Sequence, residues 1–161
     1  MRFALLLFVS LALVGCSSGD KNQGKSGTNT TVNTSNIPFR LPSGSDLSAL
    51  PAEVTVGLNS TMAVEYGSGA VNVMVKEIRD SRCPKGVNCV RAGEAIVTLV
   101  VSPLVEGEPV SDHEMKLLST DEEPTPLGPM GFEVVRVDPY PTKGVQINVA
   151  DYRATIRVSK R

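Results

Sequence analysis

Seven short, valine-rich runs, each closed by a turn signal, constrain this chain more than any other feature. They are "EVTVGL" at 53–58, "TMAVEY" at 61–66, "AVNVMVKEI" at 70–78, "EAIVTLVVS" at 94–102, "HEMKLLS" at 113–119, "FEVVRVDPY" at 132–140 and "DYRATIRVS" at 151–159. Within them apolar and polar side chains tend to alternate. Val71, Val73 and Val75 interleave with Asn72, Met74 and Lys76, and Tyr152, Ala154, Ile156 and Val158 interleave with Arg153, Thr155, Arg157 and Ser159. A period of two is that of a half-buried strand, whose successive side chains point to opposite faces. Clusters of Gly, Pro, Asn and Ser separate the runs, and none carries a capped helical stripe. The pattern predicts an all-β domain over residues 52–161: an antiparallel β-sandwich, immunoglobulin-like, of about seven strands, with a small open barrel as the alternative. The run at 94–102 is apolar on both faces from Ile96 to Val101, as expected of a central strand.

The stretch before the runs has a different composition. "MRFALLLFVSLALVGC" places one positive charge, Arg2, ahead of an apolar run from Phe3 to Val14. That run has the length of a signal-peptide core and falls well short of the ~20 residues that span a bilayer. Its end, Leu13, Val14, Gly15 and Cys16, resembles the bacterial lipobox. There the cysteine sulfur carries a diacylglycerol, the leader is cut just before it, and the new amino group is acylated. The resemblance implies residues 1–15 as a cleaved signal peptide and Cys16 as a lipidated terminus, so that the membrane is a partner through the anchor. Two or more acyl chains hold firmly where one holds marginally. Ser17 stands where Gram-negative lipoproteins kept at the inner membrane carry Asp, which implies the outer membrane as the address within the cell envelope.

Residues 17–51, "SSGDKNQGKSGTNTTVNTSNIPFRLPSGSDLSALP", are rich in Ser, Thr, Asn and Gly and hold almost no large apolar group before Ile37. Such a composition cannot offset the entropy lost on folding, and it predicts a disordered, flexible tether with a coil reach of roughly 30 to 35 Å. Phe39, Leu41, Leu47 and Leu50 mark its last part as a strap able to lie on the folded domain. Asn29, Asn33 and Asn59 begin N-x-S/T triplets, which in a bacterial lipoprotein carry no glycosylation signal.

Cys83 and Cys89 enclose Pro84 and Gly86 between two of the strands. In a chain exported to an oxidising compartment, this pair reads as a structural disulfide. Closing so small a loop removes unfolded-state entropy equivalent to about 2.4 kcal/mol. A thioredoxin-like site needs two residues between its cysteines and a βαβ setting. A structural zinc site needs four ligands, and with Cys16 acylated the chain has two thiols and one histidine, His113. No metal and no cofactor is implied.

"DSRCPKGVNCVRAGEAIVTLVV", with the later "DPYP" and "DYRATIRV", resembles a family of uncharacterised bacterial secreted proteins and lipoproteins. Its members carry D-S-R-C-P, a second Cys, then A-G, with Pro-Tyr-Pro and Asp-Tyr near the end. The likeness covers roughly residues 53–159. It implies export and the β fold and supplies no activity. It also implies an aromatic, often Trp, where this chain has Arg91.

Candidate functional residues are few. Asp80 and Arg82 flank the bridge; they either cap the turn and pair with each other or, with Arg91 and Tyr140, form a candidate binding patch. "DPYP" at 138–141 has two X-Pro bonds able to be cis, and Tyr140 reads as a packing residue at a strand corner. "SDHE" at 111–114 cannot supply a triad by itself, because adjacent strand residues point to opposite faces, and His113 is expected to be exposed. "TDEEP" at 120–124 reads as a solvated turn. Only 4% of the residues are aromatic, Trp is absent and the net charge is −1, so nothing in the composition points to nucleic acid or to an anionic membrane surface. Two function classes follow. The first is a non-catalytic binding or structural module of the envelope, meeting a protein or glycan partner. The alternative is a carboxylate- or metal-dependent hydrolase whose site, from Asp80, Glu94, Asp112 and Asp151, assembles only in the fold.

Overall fold

A computed structural model describes residues 39–104 and 111–161. The signal segment, Cys16 and the tether before Phe39 lie outside the described residues. Among the described residues there are eight strands: β1 (Ala52–Gly57), β2 (Thr61–Glu65), β3 (Ala70–Asp80), β4 (Ala95–Leu104), β5 (His113–Leu118), β6 (Thr125–Leu127), β7 (Met130–Asp138) and β8 (Arg153–Lys160). They form two four-stranded sheets, β1-β8-β7-β6 and β2-β3-β4-β5, with every neighbouring pair antiparallel.

The alternation read from the sequence decides which faces meet. Val71, Val73 and Val75 of β3, Val97, Leu99 and Val101 of β4, and Ala154, Ile156 and Val158 of β8 are buried in one core shared by both sheets, with Tyr66 and Phe132 as its largest side chains. β4, flanked by β3 and β5, is the inner strand that its apolar run predicts. The layers are those expected of an immunoglobulin-like sandwich. The order is simpler than a Greek key: β2 to β5 and β6 to β8 pair consecutively as hairpins, the β1–β2 and β5–β6 connections pass between the sheets, and β1 closes on β8.

Two bulges adjust the pattern. The β3–β4 register shifts between Val75 and Glu77, and the β7–β8 register shifts between Val134 and Arg136. The extra residue in each case reverses which parity faces the core. In β3, inward positions pass from Val71, Val73 and Val75 to Ile78 and Asp80. In β7 they pass from Phe132 and Val134 to Val137.

One feature differs from the sequence expectation. β6 falls inside "TDEEPTPLGPMG", which reads as a turn; its three residues include Pro126, tolerable because β6 is an edge strand. Residues 39–51, the last part of the stretch read as a tether, lie on the domain as the expected strap. Phe39, Leu41, Leu47 and Leu50 pack on the core; the Phe39 ring meets His113 edge-on at 5.2 Å, and Ser68 Oγ accepts from the Asp46 amide at 2.8 Å. This strap covers the end of the sandwich carrying the β2–β3 and β6–β7 turns. The β3–β4 and β7–β8 connections occupy the other end. Leu50-Pro51 and Asp138-Pro139 are cis.

Candidate functional site

The β3–β4 connection, residues 81–94, is pinned at its base. The Ser81 amide donates to the Glu94 carbonyl at 2.8 Å and the Cys83 amide to the Ala92 carbonyl at 2.6 Å. Gly93 holds φ at +69°, and a Cβ there would sit 1.9 Å from the Ser81 carbonyl oxygen, so only glycine fits. Cys83 and Cys89 are disulfide-bonded, with Cα atoms 6.0 Å apart, as their spacing predicts.

Beneath this loop the bulge in β3 has turned Asp80 inward, and the chain returns Arg82 onto it. Arg82 Nε donates to Asp80 Oδ1 at 2.8 Å and Nη2 to Oδ2 at 2.6 Å, a bidentate pair. The Arg82 amide donates to Oδ1 at 3.0 Å, and the Tyr152 hydroxyl to Oδ2 at 3.2 Å. The guanidinium continues to the opposite sheet, where Nη1 reaches the Val137 carbonyl at 2.8 Å and Nη2 the Pro139 carbonyl at 3.2 Å. Tyr140 lies over its face, 4.5 Å from ring centroid to Cζ. Only 3% of the Asp80 side chain and 11% of the Arg82 side chain are exposed. This clasp joins β3 to the ends of β7 and β8 and closes that end of the sandwich.

The electrostatics agree with a closed pair. Burial pushes the Asp80 carboxyl up, but the hydrogen bonds and charge of Arg82, helped by Tyr152, outweigh it and leave Asp80 below the ordinary carboxylate value. Asp80 in turn raises Arg82, and burial, with the Asp80 charge, raises the Tyr152 phenol. Four guanidinium hydrogen bonds and a stacked ring leave Arg82 little with which to hold a ligand.

Of the four residues read as a candidate patch, the structure therefore brings Asp80, Arg82 and Tyr140 together, as an internal clasp. Arg91 is exposed and has no hydrogen bond or ion pair with a described residue. Tyr152 and the carbonyls of Val137 and Pro139 were missed, since only the two bulges bring them into reach. Tyr140 packs at the corner after β7, as expected, while 40% exposed.

The carboxylates considered for hydrolysis are each engaged separately or lie apart from a shared polar contact. Asp80 is held by Arg82, Glu94 accepts from Thr120 at 3.0 Å, and Asp112 accepts from Ser102 near the strap end; Asp151 lies in a single 3-10 turn, Val149–Asp151. Among the described residues no three His, Cys, Asp or Glu side chains group as metal ligands. Ser111, just ahead of β5, and His113 do meet, Oγ to Nε2 at 3.0 Å. Asp112 points away from them, and His113 is half-buried against Phe39 rather than exposed. A shallow depression on the outer face of the β1-β8-β7-β6 sheet, lined by Glu53, Thr55, Val135, Arg136 and Thr155, has as its floor the hydroxyls of Thr55 and Thr155, 3.0 Å apart.

Fold and site together define an eight-stranded antiparallel sandwich closed at one end by a buried ion pair and a disulfide loop. No protein-family model, curated protein or solved structure matches the chain.

Proposed function

We propose that this chain is a lipid-anchored protein of the bacterial cell envelope, acylated at Cys16 and addressed to the outer membrane. Its β-sandwich acts as a non-catalytic binding or structural module. The observation that carries the reading is the ordered sequence of Arg2, the apolar run Phe3–Val14, and Leu13-Val14-Gly15-Cys16. The disulfide supports it, because such bonds persist in oxidising compartments. The internal use of Asp80 and Arg82 supports a structural role for this buried polar cluster, and the resemblance to secreted proteins and lipoproteins of the D-S-R-C-P type points to the same compartment.

The test is labelling of the full chain with an alkyne analogue of palmitate in a Gram-negative host, followed by membrane fractionation. Label should travel with the protein into the outer-membrane fraction, and Cys16→Ser should lose both label and sedimentation. Label retained in Cys16→Ser, or absent from the parent chain, contradicts the proposal.

A further inference from the structure

The same tripeptide, Lys-Gly-Val, occurs at 85–87 and at 143–145. The fold sets the two copies side by side. Each ends a β-turn closed by its valine amide: Val87 to the Pro84 carbonyl at 3.2 Å, and Val145 to the Thr142 carbonyl at 3.1 Å. Each turn has glycine at its third position with φ of +81° and +75°, the type II signature. The turns are stitched together, since the Lys85 amide donates to the Pro141 carbonyl at 2.9 Å and the Lys143 amide to the Lys85 carbonyl at 3.0 Å. The disulfide straddles the first turn. Two ammonium groups and two aliphatic groups are thus held on one rigid tip, at the end of the sandwich away from the strap.

This tip concentrates what the rest of the surface avoids. Val90 is fully exposed, and Val87, Val145 and Val149 are 41%, 62% and 61% exposed. Among the described residues the other exposed large hydrophobics are Tyr140, stacked on Arg82, and Met62, Leu104 and Val135, scattered over strands. Lys85, Lys143 and Arg91 are exposed, and none forms an ion pair with a described residue. Apart from Arg82, which Asp80 neutralises in the buried clasp, the two loops, 81–94 and 139–152, carry three cations, Lys85, Arg91 and Lys143, against two carboxylates, Glu94 and Asp151.

We propose that this twin-turn tip docks on an anionic phospholipid surface. Lysines would meet lipid phosphates while the valines enter the boundary between headgroups and acyl chains. The turns project their side chains outward. A peptide ligand is usually received by a groove or a strand edge, whereas a soft headgroup layer closes around a projecting tip. The inference does not depend on acylation at Cys16, so its test uses an unacylated chain of residues 17–161. That chain keeps every described core residue, since these begin at Phe39.

Co-sedimentation is compared with vesicles of phosphatidylcholine alone and of equimolar phosphatidylcholine and phosphatidylglycerol. Partition should favour the anionic vesicles and fall at high salt. It should drop about fivefold for each of Lys85→Gln and Lys143→Gln, and Val90→Ser should weaken it further. Lys116→Gln and Lys160→Gln, away from the tip, should leave it unchanged, and circular dichroism checks that each variant keeps its sheet. No partition, equal partition into both vesicles, or a Lys85→Gln/Lys143→Gln chain that binds like the parent overturns the proposal. Capture of an acidic peptide by the tip without vesicle binding overturns it as well.

Discussion

A single extra residue in β3, Lys76, turns Asp80 toward the core, and a buried carboxylate must then find a cation or lose its charge. Arg82 supplies that cation, and through the carbonyls of Val137 and Pro139 it also reaches the second sheet. Replacing one partner should therefore cost more than the pair itself contributes, because the other charge stays buried. Asp80→Asn should destabilise the domain by about 3–5 kcal/mol at neutral pH, read from urea unfolding. The folded carboxyl titrates below its unfolded value. Its contribution is then present above the ordinary carboxylate range and is lost as pH falls through the folded value. The gap between parent and Asp80→Asn should accordingly narrow in acid; a gap independent of pH would mean that the carboxylate charge is not what holds Arg82.

At the scale of elements, the disulfide loop and the strap stabilise opposite ends. Reduction of Cys83–Cys89, or the paired Cys83→Ala/Cys89→Ala change, should lower stability by about 2 kcal/mol while the far-UV sheet signal persists. Phe39→Ala should cost a similar amount, about 2 kcal/mol, by uncovering the core beside Gly128 and His113. An unchanged melting temperature in Phe39→Ala would show that the strap is not part of the folded unit. The strands were legible because a half-buried strand writes its two faces directly into alternate residues, as Val71, Val73 and Val75 show. β6 was hidden because a three-residue edge strand containing Pro126 carries too little pattern to distinguish it from a turn. The disulfide followed from spacing and export. The clasp did not, because Asp80 faces inward only after the bulge, and a parity change leaves no mark in the local sequence. The repeated Lys-Gly-Val was visible as a string, but its meaning depends on a contact between loops with strands β4 to β7 between them in sequence.

The whole molecule divides its tasks along the chain. In the proposed reading the first segment sets the compartment, and the sandwich presents its twin-turn tip at the end away from the strap. All of this presupposes export and acylation. The most direct measurement is the intact mass of the full-length product recovered from membranes of a Gram-negative host, before and after reduction. The account predicts a chain that begins at Cys16, carries acyl groups and gains two protons on reduction. A product that still begins at Met1, is free of lipid and lies in the soluble fraction with both thiols reduced would contradict it.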